Sequence, residues 1–180
     1  MILTLTGTHS TGKSTLLEAL KQEYPLFYFN DSSTRDVTNP SERRLDEISD
    51  RVQGRIFHAI CEKEHELNKI KQTQHIFMDR SFIDFTAYTL VFQEQGLLSE
   101  DFTYKIVTEC ENRLNSNMYS KIFYLPIEFE LVDDGIRSVD KNLQVKVDQT
   151  IQELLRNVPN VIKLTGDVQT RILQIRANLY

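Results

Sequence analysis

Cysteine is scarce in this chain, with two in 180 residues, Cys61 and Cys110. They lie far apart, lack CxxC spacing and fall in stretches that read as helix. That excludes a disulfide framework and a cysteine zinc site, and fits reduced thiols in a cytoplasmic protein. Long apolar runs are missing as well. None approaches the about 20 residues of a membrane span, and the opening MILTLTGT has neither the basic nor the apolar region of a signal peptide. Basic charge is not in excess: 21 Lys and Arg against 26 Asp and Glu leave a net charge of −5, which argues against a nucleic-acid polymer as partner. Repeats and low-complexity tracts are absent. The apolar fraction of 40% is sufficient for a buried core. The length points to one domain over residues 1–180 with a small lid around 129–147.

Short β-branched or apolar runs alternate with helical periodicity. Strands are expected at Met1–Thr6, Phe27–Phe29, His75–Asp79, Lys121–Ile127 and Asn160–Thr165. Helices are expected at Lys13–Glu23, over about 41–72 with a break near Ser49-Asp50, and at Phe82–Gln95, Ser99–Asn115, Asp140–Arg156 and Val168–Ala177. This alternation predicts a parallel sheet covered on both faces, a three-layer α/β/α fold with right-handed crossovers. Ligands of such sheets bind beyond the carboxyl ends of the strands. Gly7, Asp31, Asp79, the Asp133 loop and Gly166 all follow strand ends, so they are expected along one edge.

The first of these strand ends carries Gly7-Thr8-His9-Ser10-Thr11-Gly12-Lys13-Ser14, a GxxxxGK[ST] match between a strand and a helix. Glycines at 7 and 12 let the backbone turn tightly and bring N–H groups to phosphate oxygens, and the helix beginning at Lys13 adds its positive end. Lys13 is expected on the β- and γ-phosphates of ATP and Ser14 on Mg²⁺, with Thr15 capping or packing nearby. At the end of the third strand stands Asp79-Arg80-Ser81. An apolar strand ending in a carboxylate suits Asp79 to hold Mg²⁺ or to accept a proton, and the fork of Arg80 suits a substrate phosphate.

The segment from Asp79 to Tyr88 resembles the DR(Y/S)xxSxxAY segment of thymidylate kinases, with Asp84 where that family has serine, and its start resembles the (E/D)RS motif of deoxynucleoside kinases. Over nearly the whole chain, GTHSTGKST, Ser33-Thr34-Arg35, DRS, DDGIRSVD and LTG-D resemble the ribosylnicotinamide-kinase-like P-loop ATPases, a group rich in small phage and bacterial proteins. The resemblance implies a five-stranded sheet in the order 2-3-1-4-5 and phosphoryl transfer from ATP. It also implies that Asp31 binds or deprotonates the acceptor hydroxyl, that Arg35 binds substrate phosphate, and that the Thr165-Gly166-Asp167 turn lies against the nucleotide base. Asp79 is a rival to Asp31 as general base.

Two further groups are read from chemistry. Gln53 lies on a helix that walls the acceptor pocket, and its amide can pair with a base edge. Arg137 in the Asp133–Ser138 loop is the lid cation that phosphoryl transfer requires on closure, with Lys141 and Lys146 as seconds. The expected function is an ATP- and Mg²⁺-dependent kinase acting on a (deoxy)nucleoside or nucleoside monophosphate, with room for a homodimer. The alternatives are a P-loop ATPase or nucleotide-dependent switch, and a ribosylnicotinamide kinase. No NKxD guanine pattern follows the fourth strand, which counts against a GTPase switch.

Overall fold

Side chains alternate between the two faces of every central strand, and this alternation divides the core in two. In the computed structural model, which describes residues 1–31, 37–39, 41–43, 47–129 and 140–179, strand β1 (Ile2–Thr6) is fully buried. Its Ile2 faces one cluster and its Leu3 and Leu5 face another. Strand β3 (Ile76–Asp79) repeats the pattern, with Ile76 and Met78 on the first side and Phe77 on the second. Strand β4 (Lys121–Tyr124) follows suit, sending Ile122 and Tyr124 one way and Phe123 the other. A sheet buried on both faces needs helices on both.

With β2 (Tyr28–Asn30) and β5 (Val161–Lys163), these strands form a wholly parallel sheet in the order β2-β3-β1-β4-β5. The layers and the order are those expected from the sequence. Helices α1 (Lys13–Glu23) and α6 (Val168–Ala177) cover the second cluster. Helices α2 (Asp50–Ile70), α3 (Phe82–Glu94), α4 (Glu100–Asn115) and α5 (Lys141–Leu155) cover the first.

Several expected boundaries move: β2 shifts by one residue to Tyr28–Asn30 and β5 shortens to Val161–Lys163. The long helix over 41–72 is a 3₁₀ turn at Ser41–Arg43 followed by α2, whose first residue, Asp50, accepts hydrogen bonds from the backbone N–H (3.0 Å) and hydroxyl (2.5 Å) of Ser99. Asp50 is thus committed to joining the starts of α2 and α4, which fixes the break. Strand β4 stops at Tyr124 instead of Ile127, although Leu125 N–H still donates to Thr6 O at 2.8 Å.

Behind the site, α3 is held by a buried polar network. Tyr119 accepts from Phe82 N–H at 3.1 Å and donates to Glu64 at 3.0 Å, and Arg113 bonds the other Glu64 oxygen at 2.7 Å while lying 3.9 Å from the Phe82 ring centre. Burial raises the Glu64 pKa, with Arg113 and Tyr119 pulling against it.

On the other face, Phe77 is surrounded by rings. Phe27 and Phe29 each stack at 5.6 Å, Tyr24 stands at 5.9 Å and Phe123 at 6.5 Å. Phe77→Ala is expected to cost about 3–5 kcal/mol, as deletion of a buried ring leaves a cavity. Leu26→Ala, at a position 83% exposed, is expected to change stability by ~0.5 kcal/mol or less. Urea titrations of the two variants check the contrast.

Candidate nucleotide site

The loop from β1 to α1 is built on backbone angles few residues adopt. Gly7 has φ +154° and Gly12 φ +85°. A Cβ on Gly7 would sit 2.5 Å from Leu125 O, so only glycine lets the loop pass β4. Ser10 has φ +60°, a left-handed conformation uncommon outside glycine. Residues 9–15 then line one cleft with Asp79 and Arg80.

Parallel pairing explains how Asp79 reaches this cleft. Leu5 stands opposite Asp79, so the end of β3 lies two residues before Gly7 in register. Ser14 Oγ donates to Asp79 Oδ2 at 3.3 Å, and Asp79 Oδ1 is buried without a hydrogen-bond partner among the described residues. An exposed hydroxyl beside a carboxylate with an unused oxygen is a donor set that fits Mg²⁺ when triphosphate oxygens complete the shell. Among the described residues no three His, Cys, Asp or Glu side chains gather into a metal cluster. Lys13 is buried and donates to Gly7 O and Thr8 O, each at 2.5 Å, and to Thr11 Oγ1 at 3.2 Å. Its ammonium is therefore held over the loop at the cleft.

Arg80 also has a positive φ, +79°. Its backbone is fixed by Arg80 N–H donating to Leu5 O (3.0 Å) and by Thr4 Oγ1 donating to Arg80 O (3.2 Å). Burial opposes its charge, but Tyr88, Asp84 and Asp79 outweigh that and raise its pKa. A residue with a strained backbone, tied down at both backbone groups, thus lines the same cleft as Lys13, Ser14 and Asp79.

Asp84 departs from the resembling motif, yet it is the bond centre of the site. The carboxylate is 1% exposed. It accepts from Thr6 Oγ1 (2.7 Å), Gly7 N–H (3.0 Å), Ser81 N–H (2.9 Å) and Ser81 Oγ (3.1 Å). Asp84 and Ser81 form the capping box of α3, so one side chain starts that helix and fastens the first glycine of the loop. The pattern Ser81-x-x-Asp84 carried that signal. Tyr88, one turn further, takes His9 N–H at 3.3 Å and pairs with His9 Nδ1 at 2.8 Å. Its hydroxyl belongs to the loop and not only to the helix core.

Arg171 and Glu128 are the other residues the sequence did not reveal. Arg171, on α6, is 1% exposed. Its guanidinium donates to Thr11 O and to Glu128 Oε2, both at 2.8 Å, and lies 5.2 Å from the centre of the Phe129 ring. The same Glu128 oxygen takes Gly166 N–H at 2.9 Å. Asp167 caps α6 through Thr170 N–H at 2.8 Å, and that bond lowers its pKa.

Other expected site residues stand apart. Asp31 is exposed and paired with Lys21 at 3.0 Å, a bond that lowers its pKa, and it does not line the cleft with Asp79. Gln53 is buried on α2, away from the cleft lining, whereas Thr15, though exposed, does line the cleft. Lys141 and Lys146 are exposed on α5. Arg35, Arg137 and the loop Asp133–Ser138 lie outside the described residues.

A family model described as an AAA domain matches residues 3–171 of the chain. No curated protein matches it in sequence. Solved structures do match in fold. A deoxyadenosine kinase from M. mycoides, with dCMP and a flexible dCDP bound as products, superposes with a TM-score of 0.73 at 13% identity, covering 99% of this chain and 98% of that one. NadR in complex with NR gives 0.74 at 16% identity, covering 99% of this chain and 51% of NadR. Thymidylate kinase from Candida albicans gives 0.66 at 16% identity, covering 99% and 92%.

Removal of the Asp84 carboxylate strands two buried N–H donors and two hydroxyls. Asp84→Ala is expected to lower stability by roughly 3 kcal/mol. Asp84→Asn, which keeps one acceptor oxygen, should lose less. Urea unfolding midpoints check the ranking.

Proposed function

The chain belongs to the AAA-domain family of P-loop proteins, and from that premise we propose that it is an ATP-dependent kinase for a (deoxy)nucleoside or nucleoside monophosphate. The observation that carries the reading is the convergence of Lys13, Ser14, Asp79 and Arg80 on one cleft at the carboxyl edge of a 2-3-1-4-5 sheet. The fold of kinases for such acceptors supports it. On this reading residues 1–180 are one kinase domain working in the cytoplasm, and the lid expected around 129–147 does not extend into α5, whose Leu143 and Val147 are buried in the core; among the described residues no helix is long and apolar enough to cross a membrane.

In the reaction an acceptor oxygen attacks the γ-phosphorus of ATP. The new P–O bond forms as the bond to the β-γ bridging oxygen breaks, and ADP leaves with that oxygen. Residues 7–14 hold the polyphosphate through backbone N–H groups, and Lys13 offsets charge on the β- and γ-phosphates. Mg²⁺, bound through Ser14 and Asp79, would supply further charge neutralisation there. Arg80 faces the transferred group or an acceptor phosphate, and its forked donors match either. Arg137 is the lid cation, Arg35 and Gln53 contact the acceptor, and the Gly166-Asp167 turn borders the base. The proton of the acceptor hydroxyl goes to a carboxylate or to water. Asp31 is disfavoured in that role, because its ion pair with Lys21 lowers its pKa and so weakens it as a base.

Mass spectrometry of a pool of nucleosides, nucleoside monophosphates and nicotinamide riboside incubated with ATP and Mg²⁺ tests the proposal. One acceptor should gain a phosphoryl group. Steady ADP release that no acceptor stimulates would instead identify an ATPase or nucleotide switch. Lys13→Ala and Asp79→Ala are each expected to reduce turnover at least ~100-fold. Wild-type turnover in either variant would contradict the assignment.

A further inference from the structure

The phosphate loop is held from outside by two side chains from the far end of the sequence. Gln144, 2% exposed on α5, donates its amide to His9 O at 3.0 Å. Arg171, on α6, donates to Thr11 O at 2.8 Å. These carbonyls flank Ser10, the residue with φ +60°.

Peptide geometry converts these bonds into an orientation. The C=O of one residue and the N–H of the next share a plane and point in opposite directions in a trans peptide. No described peptide is cis. Drawing His9 O toward α5 therefore turns Ser10 N–H the other way, and drawing Thr11 O toward α6 does the same to Gly12 N–H. Neither of these N–H groups is taken by a protein acceptor among the described residues. Two free amides spaced around a left-handed residue make an anion-binding concavity. A left-handed serine persists only where its surroundings over-determine it, and the two carbonyl bonds supply that restraint on either side.

We propose that Gln144 and Arg171 are positioning residues that preform the polyphosphate cradle by fixing the His9–Ser10 and Thr11–Gly12 peptide planes. This rests on the phosphate-site reading above and adds two residues to it. Neither touches the reacting atoms. Glu128 serves Arg171, since its carboxylate at 2.8 Å holds the guanidinium under Gly12. A Cβ placed on Gly12 would lie 3.1 Å from Arg171 Nη1, so glycine at 12 and arginine at 171 fit as a pair.

The test is calorimetric titration of the full chain with inorganic tripolyphosphate and, separately, with ADP, each with Mg²⁺. The variants are Gln144→Met, Arg171→Met and Arg171→Lys. Each Met variant is expected to bind tripolyphosphate about tenfold more weakly, the loss that one orienting hydrogen bond accounts for. Arg171→Lys, which keeps a donor for Thr11 O, is expected to recover part of that loss. In ligand-free wild type and variants, amide NMR shifts of Ser10 and Gly12 should move with the corresponding substitution. A role confined to core stability would lower the unfolding midpoint while leaving tripolyphosphate affinity and those two shifts unchanged, and that result would overturn the proposal. Should Arg171→Met fail to fold, Gln144→Met carries the test alone. Absence of tripolyphosphate and ADP binding by the wild-type chain would overturn the underlying phosphate site as well. Equal binding by wild type and variants would overturn only the positioning role.

Discussion

A loop that aims its amides at an anion gives up the protein hydrogen bonds those amides would otherwise make. The segment after β1 meets this constraint by fastening everything else. Asp84 holds the entry through Gly7 N–H and the Thr6 hydroxyl, and Tyr88 holds His9. Side chains from α5 and α6 take the His9 and Thr11 carbonyls. The sheet order suits this arrangement: β1 lies at its centre, flanked by β3 and β4, so the loop leaves from the middle of the carboxyl edge. The strain at Ser10 and Arg80 is local: bonds to α5 and α6 flank Ser10, and two bonds to β1 hold the Arg80 backbone.

The family and the fold constrain the chemistry unequally. An AAA-domain match over residues 3–171 and a P-loop on a 2-3-1-4-5 sheet speak to polyphosphate binding. The acceptor is a matter of side chains on the opposite wall. Arg80, just after β3, lines the cleft, whereas Gln53 is buried on α2 and does not line it. Related folds place deoxyadenosine, thymidylate or ribosylnicotinamide chemistry on the same frame, so the frame alone does not select among them.

What could be read from the sequence was what depends on neighbours in the chain. GTHSTGKS between an apolar run and a helical one gave the loop, and HIFMD gave a strand ending in a carboxylate, because both are short patterns with a local physical meaning. The strand ends were likewise expected to share an edge, and Gly7 and Asp79 do so. Asp84 was visible only as a departure from a motif, although Ser81-x-x-Asp84 is a capping box; its second task, holding Gly7, comes from a residue 77 positions away. Arg171 falls inside the expected last helix with no motif around it. Nothing near it in sequence signals a partner 160 positions earlier. Asp31 illustrates the converse: its place after β2 was right, but Lys21 on α1 captures its carboxylate, an exposed pairing that strand order does not encode.

The long sequence separations of those outer bonds also bear on synthesis. A ribosome releases residues 7–14 almost at once, but the groups that take the His9 and Thr11 carbonyls emerge 135 and 160 residues later. Over that interval the nascent chain carries the complete loop sequence without these two carbonyl bonds. On the proposed positioning role, the cradle gains its full shape only once α5 and α6 have docked.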